Sequence, residues 1–153
     1  MPLHPAIVHL PIGLAIVMPI LALLATVAIR RNWFNRKLWF LVTLAQLVVL
    51  GAGLAALQTG ENEEDKIEQY VTESQIHHHE EKGEAFLWAA GLTLVASIAA
   101  LVIRASGGAM AARIITIMLA VATTAFALDA GRSGGELVYQ HGAARAYQSQ
   151  ENK

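Results

Sequence analysis

The chain has no cysteine in 153 residues. That absence removes disulfides, thiolate metal sites, iron–sulfur clusters and covalently attached c-type haem from consideration at once. Charge is scarce as well: 15% of residues are charged, 55% are hydrophobic, and the formal net charge is −1. No basic run is long enough to serve as a polyanion-binding arm, so nucleic acid is not an expected partner. Nor does the chain carry a nucleophile–base–orienter set or a phosphate-binding glycine loop, and no enzymatic activity is assigned from it.

What is present is long apolar runs. Residues 11–29 contain no charged side chain, and at ~1.5 Å per residue that is enough helix to cross a hydrocarbon core of ~30 Å. Three similar runs follow, at 38–57, 86–103 and 111–130. The pattern predicts an all-α membrane protein: a single domain over 1–153, folded as an up-down bundle of four transmembrane helices. The first run lacks a basic preceding segment and exceeds a signal-peptide core of ~7–15 residues, so it reads as a retained span.

Between the spans, RRNWFNRK is a tight basic turn with Trp33 within it and Trp39 close after, at the depth where aromatic belts form. Gly51, Gly53 and their alanine neighbours are small enough for close helix approach, and Gln46 reads as an amide bonded to a neighbouring helix. The interval 58–84 holds nine acids against Lys66 and Lys82. The second and third spans should extend through it as helices, with a turn near residues 71–74 where Thr72 and Gln75 have the form of a capping box. Glu63, Asp65 and Glu73 read as a solvated face. Ser106-Gly107-Gly108 is expected to turn the chain, and Ser133-Gly134-Gly135 to end the fourth helix. Asp129, at the close of that span, should have a partner, with Arg132 or a histidine as candidates.

The first and third connections carry six cations, Arg30, Arg31, Arg36, Lys37, Arg104 and Arg113, and no acid. The second nets 2 − 9 = −7. The positive-inside rule then puts the basic loops in the cytoplasm and both termini, with the acidic interval, on the periplasmic side of the bacterial inner membrane. All six histidines fall on that same side: His4, His9, His77, His78, His79 and His141. Imidazoles gathered at one end of a helical bundle suit a transition metal, an iron porphyrin or proton handling. His77 and His78 read as headgroup-level side chains. His79 has Gly83 four residues on, and His9 has Gly13, each leaving room on the same helical face for the edge of a flat macrocycle.

The opening HPAIVHLPIGL resembles the HP-x-x-VHFPIAL start of the DUF2231 family of bacterial four-helix membrane proteins, with Leu10 and Gly13 departing from it. Thr59-Gly60-Glu61 with Glu63-Glu64, then His79-Glu80-Glu81, and finally GGELVYQHG at 134–142 are similar to that family's TG-x-x-EE, HEE and GG-x-LVY-x-HG signatures. The resemblance covers nearly the whole chain and implies no settled activity. Relatives joined to c-type cytochrome or Rieske modules imply an electron-transfer context. The histidines that match are His4, His9, His79 and His141.

Two cofactor readings follow. In the first, those four imidazoles ligate one or two b-type haems, with His9 facing His79 and His4 facing His141. Arg132 would meet a propionate and Tyr139 would supply a hydrogen bond. Electrons would pass to or from a periplasmic carrier or quinone. In the second, the same histidines with Glu61, Glu64 and Glu80 bind zinc, iron or copper. A di-iron centre is disfavoured because no Glu-x-x-His occurs, and zinc hydrolase chemistry because no His-Glu-x-x-His occurs. A third reading is a non-catalytic structural or assembly subunit, its histidines only capping and hydrogen-bonding. Small-residue stripes also make the lipid-embedded bundle a candidate homodimer.

Overall fold

The computed structural model describes residues 3–146. It is helical, with no strand among the described residues. In chain order the helices are α1 (Leu3–Ile7), α2 (His9–Arg30), α3 (Trp39–Glu61), α4 (Glu64–Ile67), α5 (Glu73–Val102) and α6 (Ser106–Tyr139), with a 3₁₀ turn at Arg36–Leu38. Four stretches are long and apolar enough to cross a membrane: Leu3–Arg30, Arg36–Glu61, Glu73–Val102 and Ser106–Tyr139. Helices α2, α3, α5 and α6 close into a ring in which each packs on its two neighbours. This is the up-down bundle the four apolar runs predict.

The bundle is dressed for lipid. Its outer surface is leucine, isoleucine and valine, with Leu24, Leu41, Val95 and Met118 more than half exposed. Its interior is narrow and built from small side chains, Ala15, Ala22, Ala90, Ala120 and Ala127 among them, with Trp39, Met18 and Val49 as the large fillers. Without a hydrophobic drive between helices, close approach and interhelical hydrogen bonds hold such a bundle. Gln46 donates to the Ala90 carbonyl at 3.1 Å, as expected. Thr93 and Thr123 join α5 to α6 at 2.9 Å, and Thr43 joins Ser97 at 2.8 Å. Gly53 is the tightest crossing, since a Cβ there would fall 2.8 Å from the side chains of Phe86 and Leu87.

Local sequence explains the element ends. The N-terminal helix starts before Pro11, at Leu3, and breaks at Val8. Pro11 has no N–H to give the Ile7 carbonyl four residues back, and its ring crowds that carbonyl. The RRNWFNRK turn is closed by Asn35, whose side chain accepts from the Lys37 N–H at 2.9 Å. Gln75 accepts from the Thr72 N–H at 3.1 Å and from its hydroxyl at 2.9 Å, which starts α5 where the sequence places it.

Three expectations are corrected. Ser106-Gly107-Gly108 opens α6 rather than preceding it, and Ser133-Gly134-Gly135 does not end it: the helix runs unbroken to Tyr139. Glycine costs a helix about 1 kcal/mol, but here packing against α5 outweighs that propensity. Glu63 is not a solvated side chain but is 8% exposed, and its carboxylate accepts from the Leu3 N–H at 2.8 Å. It thereby satisfies one of the unpaired donors at the start of α1 and docks that helix over the end of α3.

Candidate functional site: an imidazole pair at the bundle mouth

At the end of the bundle where α1, α3, α5 and α6 meet, His4 and His79 come together. Their ring centres are 6.1 Å apart and their planes lie at 79°, edge to face. Each ring is fixed by its Nδ1. The His4 Nδ1 lies 2.8 Å from the Ala56 carbonyl oxygen. A carbonyl only accepts, so this Nδ1 carries the proton and donates. The Thr59 hydroxyl, 3.4 Å from the same nitrogen, spends its own hydrogen on the Ala55 and Ala56 carbonyls.

The His79 Nδ1 lies 2.7 Å from the Ser133 Oγ. That hydroxyl donates to the Ala130 carbonyl at 2.9 Å, which leaves its oxygen to accept from His79. The hydrogen bonds therefore put a proton on Nδ1 of both rings and engage neither Nε2. His79 stands on the part of α5 that precedes the apolar run, and burial holds its pKa down at about 4, with His4 and His78 nearby adding to the effect. At neutral pH it is uncharged and basic at Nε2.

The space for these rings is made by glycines on other helices. A Cβ at Gly134 would stand 3.1 Å from the His79 Cε1, and one at Gly60 would stand 3.2 Å from the His4 Cε1. Gly13 and Gly83, which helical spacing put beside His9 and His79, are different. A Cβ at either would meet nothing within 4 Å, so neither glycine makes room for an imidazole, and both face open space. Spacing along one helix could not find Gly60 and Gly134. Their signal was the TG and GG motifs that carry the family resemblance, and in this chain Gly60 and Gly134 each approach an imidazole closely.

The other two matching histidines are not part of the pair. His9 is exposed on the outer surface of α2. His141 is exposed just beyond α6, where Gln75 Nε2 at the start of α5 lies 2.8 Å from its Nδ1. Because Gln75 Oε1 is committed to Thr72, its amide nitrogen must donate, and the His141 Nδ1 must accept. This histidine is thus the opposite tautomer, with its proton on Nε2. The structure accordingly pairs His4 with His79, in place of His9 with His79 and His4 with His141.

The remaining candidates are scattered. Arg132 donates to Glu136 at 3.0 Å along the exposed side of α6, and Tyr139 is 88% exposed. Asp129 is met by Lys82 from α5, where Arg132 or a histidine was expected. His77 lies 3.7 Å from Glu80 and 3.4 Å from Glu81 on its own helix. Glu61 is exposed. Partial burial, then the nearby carboxylates of Glu80, Glu68, Asp65 and Glu61, raise the pKa of Glu64 above the usual range. Among the described residues no three His, Asp or Glu side chains converge as a metal site.

A family model described as a predicted membrane protein, DUF2231, matches residues 1–146. The chain belongs to the DUF2231 family. No curated protein and no solved structure matches it. Within this DUF2231 chain four of the motifs that carry the resemblance meet at one place: His4 from the opening, Gly60 from the TG motif, His79 from the HEE motif and Gly134 from the GG motif all lie at the imidazole pair.

Proposed function

We propose that this DUF2231 protein holds one b-type haem between His4 and His79 at the periplasmic end of the bundle and passes electrons to or from a periplasmic carrier or quinone. The observation that carries the reading is a pair of imidazoles on different helices, each fixed at Nδ1 by a hydrogen-bond partner on another helix, which leaves both Nε2 atoms to serve as ligands. A bis-imidazole haem asks the protein for two ligands, because the porphyrin supplies the other four. A bare zinc, iron or copper ion asks for three or four, and Glu61, Glu64 and Glu80 do not join the histidines. His4 and His79 would be the two residues to hold the haem, their ring centres standing 6.1 Å apart. The orientation rests on the six cations at the other end.

A haem so ligated supplies one-electron redox chemistry with no open position for a substrate. The chain's own contribution is at Nδ1. Donation to the Ala56 carbonyl and to Ser133 fixes the rings and raises their basicity, as outer partners of metal-bound histidine do. His9 and His141 have no place in this arrangement, so one haem is proposed rather than two.

A second reading is favoured by the same bonds. His4 ties α1 to α3 and His79 ties α5 to α6, which is what helix-pinning side chains in an assembly subunit do. Oxidised and dithionite-reduced spectra of detergent-purified protein, expressed with haem available, separate the two. Sharp reduced α and β bands that vanish in His4→Ala and His79→Ala but persist in His9→Ala and His141→Ala are expected. A colourless wild-type protein would leave the helix-pinning reading standing.

A further inference from the structure

The opposite end of the bundle holds a charge with no counter-charge. Arg113, two turns into α6, is 6% exposed. Its guanidinium carbon stands 5.5 Å from the centre of the Trp39 ring, which is itself fixed by donation of its indole N–H to the Ser97 carbonyl at 3.0 Å. The Arg113 Nε is buried without a hydrogen-bond partner. The cation–π contact offsets only part of the cost of burying a guanidinium. Its charged neighbour, Arg36, adds repulsion and commits its own Nη2 to the Leu101 and Ile103 carbonyls at 2.7 and 3.3 Å.

Among the described residues none supplies the missing anion at this end. No Asp or Glu occurs from residue 1 to 60 or from 85 to 128, so every acid among the described residues lies at the imidazole end or beyond it. We propose that Arg113 and Arg36 bind the phosphodiester of an anionic phospholipid. A lipid is favoured over free phosphate because the turn that carries Arg36 also exposes Trp33 and Phe34, 71% and 59% accessible, a surface for acyl chains and glycerol at headgroup depth. The site is remote from the imidazole pair and stands whatever that pair binds.

The test compares wild-type protein in nanodiscs of phosphatidylcholine alone, of phosphatidylcholine with phosphatidylglycerol, and of phosphatidylcholine with inorganic phosphate added, reading thermal unfolding and the lipid retained on delipidation. Phosphatidylglycerol should be retained roughly five- to tenfold over phosphatidylcholine and should raise the unfolding temperature. Arg113→Met should abolish both effects and be at least as stable as wild type in phosphatidylcholine, because it removes an unpaired charge. Equal behaviour of wild type in the two lipids would overturn the proposal. So would a phosphate ion that reproduces the full gain, or an Arg113→Met protein that keeps its preference. If that variant does not fold, the three wild-type conditions decide alone.

Discussion

The two ends of the bundle bury titratable side chains in opposite ways. At the imidazole end, each Nδ1 proton of His4 and His79 has an acceptor on a neighbouring helix, and burial keeps His79 uncharged at neutral pH. At the arginine end, a guanidinium that cannot lose its proton lies buried with an unpaired Nε. The first end finds its Nδ1 partners within the chain; the second is incomplete and asks for an anion. Chemistry explains the division. Imidazole escapes the desolvation cost by shedding its charge, whereas arginine can escape it only by finding a partner.

The comparison is broken most severely at Gly134. Replacing it with leucine drives a side chain into the His79 ring, whose Cε1 would lie 3.1 Å from the first added carbon. The expected loss is about 1–3 kcal/mol or more from overpacking, seen as a lower unfolding temperature together with loss of any cofactor bands. The equivalent change at Gly83, which has open space, should leave the site intact.

Acid titration is the next lever. His79 has a pKa of about 4 when folded against an ordinary value of ~6.5. Between those limits the unfolded chain binds more protons, so stability should rise with pH, be complete above ~6.5 and be lost as pH falls toward 4. The span is of order 2–3 kcal/mol. Glu64, with a raised pKa, acts with the opposite sign, losing its contribution as pH rises. Unfolding of wild type and His79→Gln across that range should differ in slope, the variant being flatter. A smaller effect is expected of Ser133→Ala, which leaves the His79 Nδ1–H without its acceptor at about 1–2 kcal/mol and frees the ring to exchange tautomers. At the bottom of the scale, Arg132→Ala should leave stability and spectrum unchanged, because its pair with Glu136 is a solvated helix-surface contact.

Much of this frame was legible in the residues. The four spans follow from apolar run length, the start of α5 from Thr72 and Gln75, and the buried amide of Gln46 from its isolation in an apolar helix. What the sequence hid is which histidines meet. Helical spacing reveals same-face neighbours within one helix, and so it offered His9 with Gly13 and His79 with Gly83. The contacts that form are between helices: His79 on Gly134 and Ser133, and His4 on Gly60 and Ala56. The tautomers depend on those partners, so they too lay outside the pattern. Glycine misled again at Ser133-Gly134-Gly135, where intrinsic propensity says break, while close packing on α5 keeps the helix whole. Arg113 was visible only as a loop cation in the charge count, because burial is a property of the assembled ring.

The most direct test of the imidazole pair is ¹⁵N NMR of the histidine rings in the wild-type protein in bilayers at neutral pH, assigned by single substitutions. The account predicts that His79 is neutral with the proton on Nδ1, that His4 carries a proton on Nδ1 and that His141 carries its proton on Nε2 and none on Nδ1. A His79 ring that is protonated on both nitrogens, or a His4 or His79 ring whose only proton is on Nε2, would contradict it.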